Sequence, residues 1–505
     1  MNRMINFSLR LKALTFVMPV LLLAVCGFTG RAEAEEPGDI GEMTLSRALE
    51  LAVRGNAGYR MAQRDFEKAL LDLKIAGGSL EPYMQLSTSL SGDNFWSPAD
   101  GDDEETKGHN SRANGSISFG FPLITGGDLS IYATSQRTFN TGQFFVNEEL
   151  VSGVESYGAS TGVQYTQPLL EGFRMSSERY SIESAVLGLK AAEQTFNEAG
   201  VLLIDGIKQS WYSVIKARET VEVRKLSLKQ AEELAEITRA KVEEGISAEF
   251  EVLQAESGTY SRREELLIAE SSLANAKESL LEAIGLPLNT RFEIEGEIDK
   301  PGKRPALNPD SMTLKALEER QAVRLQRESV ELSRLALENA KDRLKPQLDF
   351  SAGAGFAGSD SDFSGAWDNL ADERSWQWST GLTYTIPVGG NKTDKAYCKR
   401  ARLDLENAEI RLEEVERGVE LEVRSAVRRL DTAWERVQVS LEGQKVQERK
   451  LEIEIGRFEE GLSTNYILLD YQEDLDQARL SHLEALIEYR LALSNLDRVL
   501  GRMEI

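Results

Sequence analysis

Glu243-Glu244-Gly245-Ile246-Ser247 and Glu459-Glu460-Gly461-Leu462-Ser463 are near copies of one turn, 216 residues apart. The same offset, without a gap, pairs Ala217 with Ala433, Leu253 with Leu469, Arg263 with Arg479 and Leu267 with Leu483. It goes on to pair Ala276 with Ala492, Leu280 with Leu496 and Gly285 with Gly501. Two amphipathic helices can resemble each other by chance. Shared glycine turns and shared ends in one register argue for a duplicated chain instead. Proline marks the same division: residues 169–286 and 388–505, two tracts of 118, contain none of the 12 prolines. Proline lacks the N–H a helix interior needs and clashes with the preceding turn. Each tract therefore reads as long helix.

In the second tract Val423, Val427, Leu430, Trp434, Val437 and Leu441 recur in steps of four and three. Gln444 and Glu448 interrupt the stripe, and Leu451, Ile455, Phe458 and Leu462 resume it. Another stripe runs from Leu468 through Leu475, Ala485 and Ala492 to Val499. Such spacing is a coiled-coil seam. Gly245 and Gly461 end one helix and permit the turn into the next. Each unit is a long antiparallel hairpin, and 388–461 alone would reach roughly 110 Å at about 1.5 Å per residue. A helix of that length spans something.

The proline-bearing segments read as strands. Trp376 to Ile386 alternates, with Trp376, Trp378, Thr380, Leu382, Tyr384 and Ile386 on one face and Gln377, Ser379, Gly381, Thr383 and Thr385 on the other. Gln347 to Phe356 does the same. A period of two gives a strand whose faces meet different environments. Apolar and aromatic residues outside with small polar residues inside fit a membrane β-barrel, and a half-buried soluble sheet shows the same alternation. The first half has strands at about 83–91 and 162–168, and an extra hairpin within 116–136 around Pro122–Gly127. The polar stretches Gly92–Gly115 and Gly358–Arg374 read as long external loops.

Composition narrows the function. Lys and Arg total 59 against 83 Asp and Glu, a net charge of −24. A nucleic-acid binder needs a basic face, so no nucleic-acid partner is expected. Two Cys and two His exclude Cys/His metal centres and disulfide frameworks, so neither metal nor cofactor is expected. His109 reads as a loop residue and His482 as a seam residue, with no catalytic arrangement around either. Residues 1–34 read as a signal peptide: Arg3, Arg10 and Lys12, then an apolar stretch from Ala13 to Phe28, then Ala32-Glu33-Ala34. Cleavage there would export the chain and leave Cys398 as its one cysteine. It would also remove four basic residues and one acidic, moving the net charge from −24 to −27.

The duplicated order of strands followed by a long helical hairpin resembles the TolC-like outer-membrane factor family, over about 43 to 501. The matching residues are Met43-Thr44-Leu45-Ser46-Arg47-Ala48-Leu49 and Met312-Thr313-Leu314-Lys315-Ala316-Leu317 at the repeat starts. Leu80-Glu81-Pro82 and Leu344-Lys345-Pro346 stand where that family leaves helix for strand. Gln167-Pro168-Leu169 and Ile386-Pro387-Val388 stand where it leaves strand for helix, and Ile284-Gly285-Leu286-Pro287 matches its repeat end. The resemblance implies an α+β membrane protein of two structural repeats. The first repeat covers 43–286 with long helices over 169–285. A linker over 287–310 follows, and the second repeat covers 311–505 with strands at about 347–356 and 376–387 and long helices over 388–500.

It further implies a homotrimer in the outer membrane of a Gram-negative bacterium. Its shared β-barrel would continue as a periplasmic α-helical barrel. The function implied is an exit duct for a tripartite efflux pump or type I secretion system, working with a periplasmic adaptor and an inner-membrane pump. Gly245, Ser247, Gly461 and Ser463 would form the periplasmic tips that meet the adaptor. In the family two aspartates, six and nine residues past the second turn glycine, narrow the closed tunnel. Asp470 matches the second and Ile467 stands at the first, which leaves one acidic ring as the candidate gate. The family has two strands per repeat, and the extra first-half hairpin leaves the strand count open. The competing reading is a periplasmic coiled-coil scaffold or adaptor without a barrel. An adaptor has one hairpin, whereas here hairpin and strands are both duplicated. Selectivity resides largely in the pump, so the sequence leaves the exported substrate open.

Overall fold

The computed structural model describes residues 40–97, 106–146, 149–245, 248–296, 302, 307–372 and 375–502. The signal-peptide segment 1–34 and Ser247 lie outside them. A short strand β1 (Gly41–Met43) leads into helices α1 (Leu45–Gly55) and α2 (Ala57–Gly78). Four strands follow: β2 (Tyr83–Ser97), β3 (Thr106–Pro122), β4 (Asp128–Val146) and β5 (Glu149–Pro168). The first hairpin is α3 (Ser177–Glu243) and α4 (Glu249–Ile284). Strand β6 (Phe292–Ile294) then pairs in parallel with β1, so the linker is tied back to the start of the chain. The second half repeats the plan with α5 (Pro309–Glu319), α6 (Gln321–Asp342), β7 (Gln347–Asp360), α7 (Phe363–Asp368), β8 (Trp376–Thr385), α8 (Lys392–Glu459) and α9 (Asn465–Val499).

The 216-residue offset governs packing as well as sequence. Around the first hairpin Ile207, Trp211, Val214 and Leu280 are buried together. Their counterparts Val423, Val427, Leu430 and Leu496 are buried together around the second. All four hairpin helices stop at a glycine with positive φ: Gly245, Gly285, Gly461 and Gly501. At Gly461 the Leu462 N–H donates to the Arg457 carbonyl at 2.8 Å and the Gly461 N–H to that of Phe458 at 3.2 Å. This is a Schellman cap, which needs the left-handed conformation glycine adopts without strain.

Strands β2, β3, β4, β5, β7 and β8 form one antiparallel six-stranded sheet in that order. Rows of cross-strand neighbours show how its faces divide. Met84, Phe119, Ile131, Val163, Ala354 and Trp378 form one row across all six strands. Leu86, Ile117, Ala133, Thr161, Phe356 and Trp376 form the next on the same face. Between them, on the other face, lie Gln85, Ser118, Tyr132, Gly162, Gly355 and Gln377.

Several boundaries differ from those expected. The stretch Gly92–Gly115 is not one loop: β2 runs on to Ser97 and β3 begins at Thr106. The expected 116–136 and 162–168 segments extend likewise, to Val146 at the end of β4 and from Glu149 at the start of β5. Beyond the apolar rows the paired neighbours Asp93 and Asn110, and Asn94 and His109, are polar on both faces, so alternation fades along β2 and β3 while backbone pairing continues. His109 is a strand residue there, its Nδ1 2.8 Å from Asn94 Oδ1. Gly358–Arg374 holds the end of β7 and the short helix α7. The long helices start at Ser177 and Lys392, because the residues after Pro168 and Pro387 first turn out of the sheet.

Candidate functional site

Gly245, at φ +74°, and Gly461, at φ +77°, end their helices as the turn reading requires. Ser463 donates its hydroxyl to the carboxylate of Glu454. Glu454 is 2% exposed, and Arg457 Nη1 reaches the same carboxylate at 3.1 Å. A buried carboxylate needs such partners, since desolvation alone would neutralise it. The two tips are clasped together. Lys241 Nζ stands 3.9 Å from the Phe458 ring centroid and donates to the Phe458 carbonyl at 3.3 Å. Buried Asn465 donates to the Glu251 carbonyl at 3.3 Å and accepts from the Thr238 hydroxyl at 3.2 Å. Sequence reasoning named the turns but missed this clasp, because it joins residues more than 200 apart.

Asp470 is exposed on α9, one turn beyond Ile467, which is also exposed. Its counterpart in the first repeat, Gln254, is half-buried on α4. Deeper in, where α3, α4 and α9 meet, lies a charge cluster that the sequence did not signal. Arg224 Nη1 is 2.8 Å from Glu265 Oε2, and Arg262 pairs with Glu473. Asp476 is fully buried, with Arg479 Nη1 3.7 Å from its Oδ1. Burial raises its pKa, against the pull of Ser227 and of the guanidinium groups of Arg262, Arg479 and Arg224.

The elements form a wall of helices packed in series, with α4 also reaching α9 through Arg262 and Glu473. At the tip end α4 packs on α3, α3 on α9 and α9 on α8. Nearer the sheet the order is α2, α3, α6, α8. The edges are therefore α4 and α8 below, α2 and α8 above, and β2 and β8 in the sheet. Both lower edges carry a second apolar stripe. On α4, Ala255, Arg262 and Ala269 are buried while Leu253, Tyr260 and Leu267 are 61–71% exposed. On α8, Val423, Leu430 and Val437 are buried while Val439, Val446 and Ile453 are 55–73% exposed. Each exposed stripe is offset by two residues from its buried heptad, about 200° around the helix. It therefore points away from the wall. The signal, a second heptad phase, is present in the sequence.

At the sheet end the apolar residues are exposed too: Leu86 is 77% exposed and Trp378 64%. No helix among the described residues is long and apolar enough to cross a membrane. The six-stranded sheet has one continuous apolar face, on the end of a wall of helices up to 68 residues long. The family model described as outer membrane efflux protein matches residues 127–286 and 314–502, well over half of the chain.

The chain belongs to the outer membrane efflux protein family.

Outer membrane protein TolC of Escherichia coli is 23% identical over 363 residues, covering 70% of this chain and 71% of TolC. Among solved structures, the CmeC outer membrane channel of Campylobacter jejuni matches with a TM-score of 0.63 at 17% identity, over 90% of this chain and 85% of CmeC. The MtrE outer membrane channel of Neisseria gonorrhoeae matches with a TM-score of 0.61 at 17% identity, over 91% and 89%. These likenesses show the fold. This outer membrane efflux protein is an outer-membrane exit duct of a Gram-negative bacterium, with a large periplasmic helical portion, and a conduit rather than an enzyme. A periplasmic scaffold without a barrel is not favoured.

Proposed function

We propose that three copies of this outer membrane efflux protein close into one tube, the sheets making a barrel and the helices a tunnel. The observation that carries this is the pair of unsealed edges. One chain presents apolar stripes on α4 and α8 facing outward, and unpaired strand edges at β2 and β8. Open strand edges are not tolerated in lipid. Exposed heptad stripes want a partner helix. A cyclic arrangement meets both needs, joining α8 to the next copy's α4 and β8 to its β2.

In this reading the tube is the outer part of a tripartite efflux pump or type I secretion system. The tips at Gly245, Ser247, Gly461 and Ser463 meet a periplasmic adaptor, which links the duct to an inner-membrane pump. Three copies of Asp470 make a carboxylate ring near the tunnel mouth, a cation-attracting constriction. Extraction with the outer membrane as a heat-resistant trimer is the expected result. A soluble periplasmic monomer would overturn the duct. Cross-linking from the tips to a periplasmic protein would test the adaptor contact, and tips that capture none would remove it.

A further inference from the structure

We propose that the membrane section of this duct is an eighteen-stranded barrel, six strands from each of three copies. This rests on the trimeric reading and departs from the two strands per repeat that the resemblance implied. The extra strands are β3 and β4, and three observations make them part of the wall.

The first is the rows. The apolar face passes from Met84 on β2 through Phe119 on β3 and Ile131 on β4 to Val163 on β5 without a break. The opposite face stays polar, with Ser87 and Ser116 hydroxyls 2.7 Å apart and Thr134 and Ser160 hydroxyls 2.5 Å apart. A hairpin folded into the lumen would not need a lipid-compatible face in register with its neighbours.

The second is the anchoring of the β3–β4 turn at the point where sheet becomes helix. Gln167 Nε2 donates to the Thr125 carbonyl at 2.9 Å, and Thr125 Oγ1 to Gln167 Oε1 at 2.8 Å. Ser176 caps α3 by accepting from the Arg179 N–H, and its hydroxyl donates to the Ile124 carbonyl at 2.9 Å. A Cβ on Gly126 would lie 2.9 Å from the Gly172 carbonyl oxygen. The turn therefore sits at the level where the other strands begin. The apolar band it starts is bounded above by Arg137, which pairs with Glu155 at 2.5 Å.

The third is circumference. Strands about 4.8 Å apart, tilted by about 40°, give eighteen a circumference of about 113 Å and a diameter of about 36 Å. Twelve would give about 75 Å and 24 Å on the same basis. Below, each copy contributes four helices to the wall at the tip end and four nearer the sheet. Twelve helices spaced 8–10 Å apart need about 96–120 Å. Six strands per copy thus continue the helical wall without a taper. Parity agrees: β2 leaves the helical end and β8 returns to it, so β8 meets the next copy's β2 antiparallel.

The test uses the purified full-length protein in lipid nanodiscs. Its mass gives the copy number, and cryo-electron microscopy of the same sample gives the strand count. Spin labels at Ile117→Cys and Ile131→Cys, in a Cys398→Ser background, should be accessible to oxygen dissolved in lipid. Labels at Ser118→Cys and Tyr132→Cys should be accessible to an aqueous paramagnetic reagent. A trimer with eighteen strands and that accessibility pattern is the expected result, with a lumen about twofold larger in cross-section than twelve strands enclose. A trimer with twelve strands, or with Ile117 and Ile131 shielded from lipid, overturns this inference and leaves the trimeric duct standing. Any other copy number overturns the trimeric reading itself.

Discussion

Gly285 and Gly55 touch backbone to backbone: a Cβ on Gly285 would lie 2.3 Å from the Gly55 carbonyl oxygen. Gly285 ends α4 at φ +87°, so it is constrained by conformation and by space at once. Gly245 shares the conformation, but nothing lies within 4 Å of its Cβ position. The pair separates two costs of one substitution. Gly245→Ala should cost about 1 kcal/mol, the left-handed penalty alone. Gly285→Ala should cost that plus about 1–3 kcal/mol of overpacking. Thermal unfolding of the two variants checks the difference, and equal losses would mean the α1–α4 junction yields freely.

The edge stripes predict assembly without predicting fold. Val446 and Tyr260 are 60% and 71% exposed in one chain and touch no core. Val446→Glu or Tyr260→Glu should leave the helical circular dichroism unchanged and abolish the heat-resistant trimer on gels. A variant that still forms trimers would place the contact elsewhere on the wall.

At Asp470 the expected readout is electrical. Replacing an exposed carboxylate in a threefold ring removes three negative charges from the constriction. Asp470→Ala should raise single-channel conductance or weaken block by multivalent cations in planar bilayers. Unchanged conductance and unchanged block together would remove Asp470 from the gate.

Asp476 yields a pH prediction. Its folded pKa is raised by burial above the unfolded value, so the folded state holds this proton more tightly than the unfolded state does. Its contribution to stability is fully present below the unfolded pKa and is lost as pH rises through the folded pKa. Asp476→Asn should therefore be more thermostable than the parent at neutral pH, with the gap closing on acidification. A variant less stable than the parent at neutral pH would mean that the charges of Arg262, Arg479 and Arg224 dominate there.

The duplication, the hairpin turns and the alternating strands were legible because each is local or periodic. Gly245 and Gly461 announce helix ends by residue type, and Val423, Leu430 and Val437 announce a seam by spacing. The full length of β2 to β5 was not legible. Asp93, Asn94, His109 and Asn110 sit where both faces are polar, and period-two reading fails once neither face must be apolar.

The sequence by itself determined the class of object: an acidic, duplicated chain with membrane-type strands and helices too long for a compact domain. Tertiary structure decided which surfaces remain unmet. That Leu253 and Val446 lie on the free edges of one wall depends on α3 packing on α9, a contact between the halves. That the β3–β4 turn is fixed where sheet becomes helix depends on Gln167 and Ser176 reaching back to Thr125 and Ile124. Such long-range pairings leave no period in a sequence, because hydrogen bonds and packed side chains are indifferent to the length of chain between them.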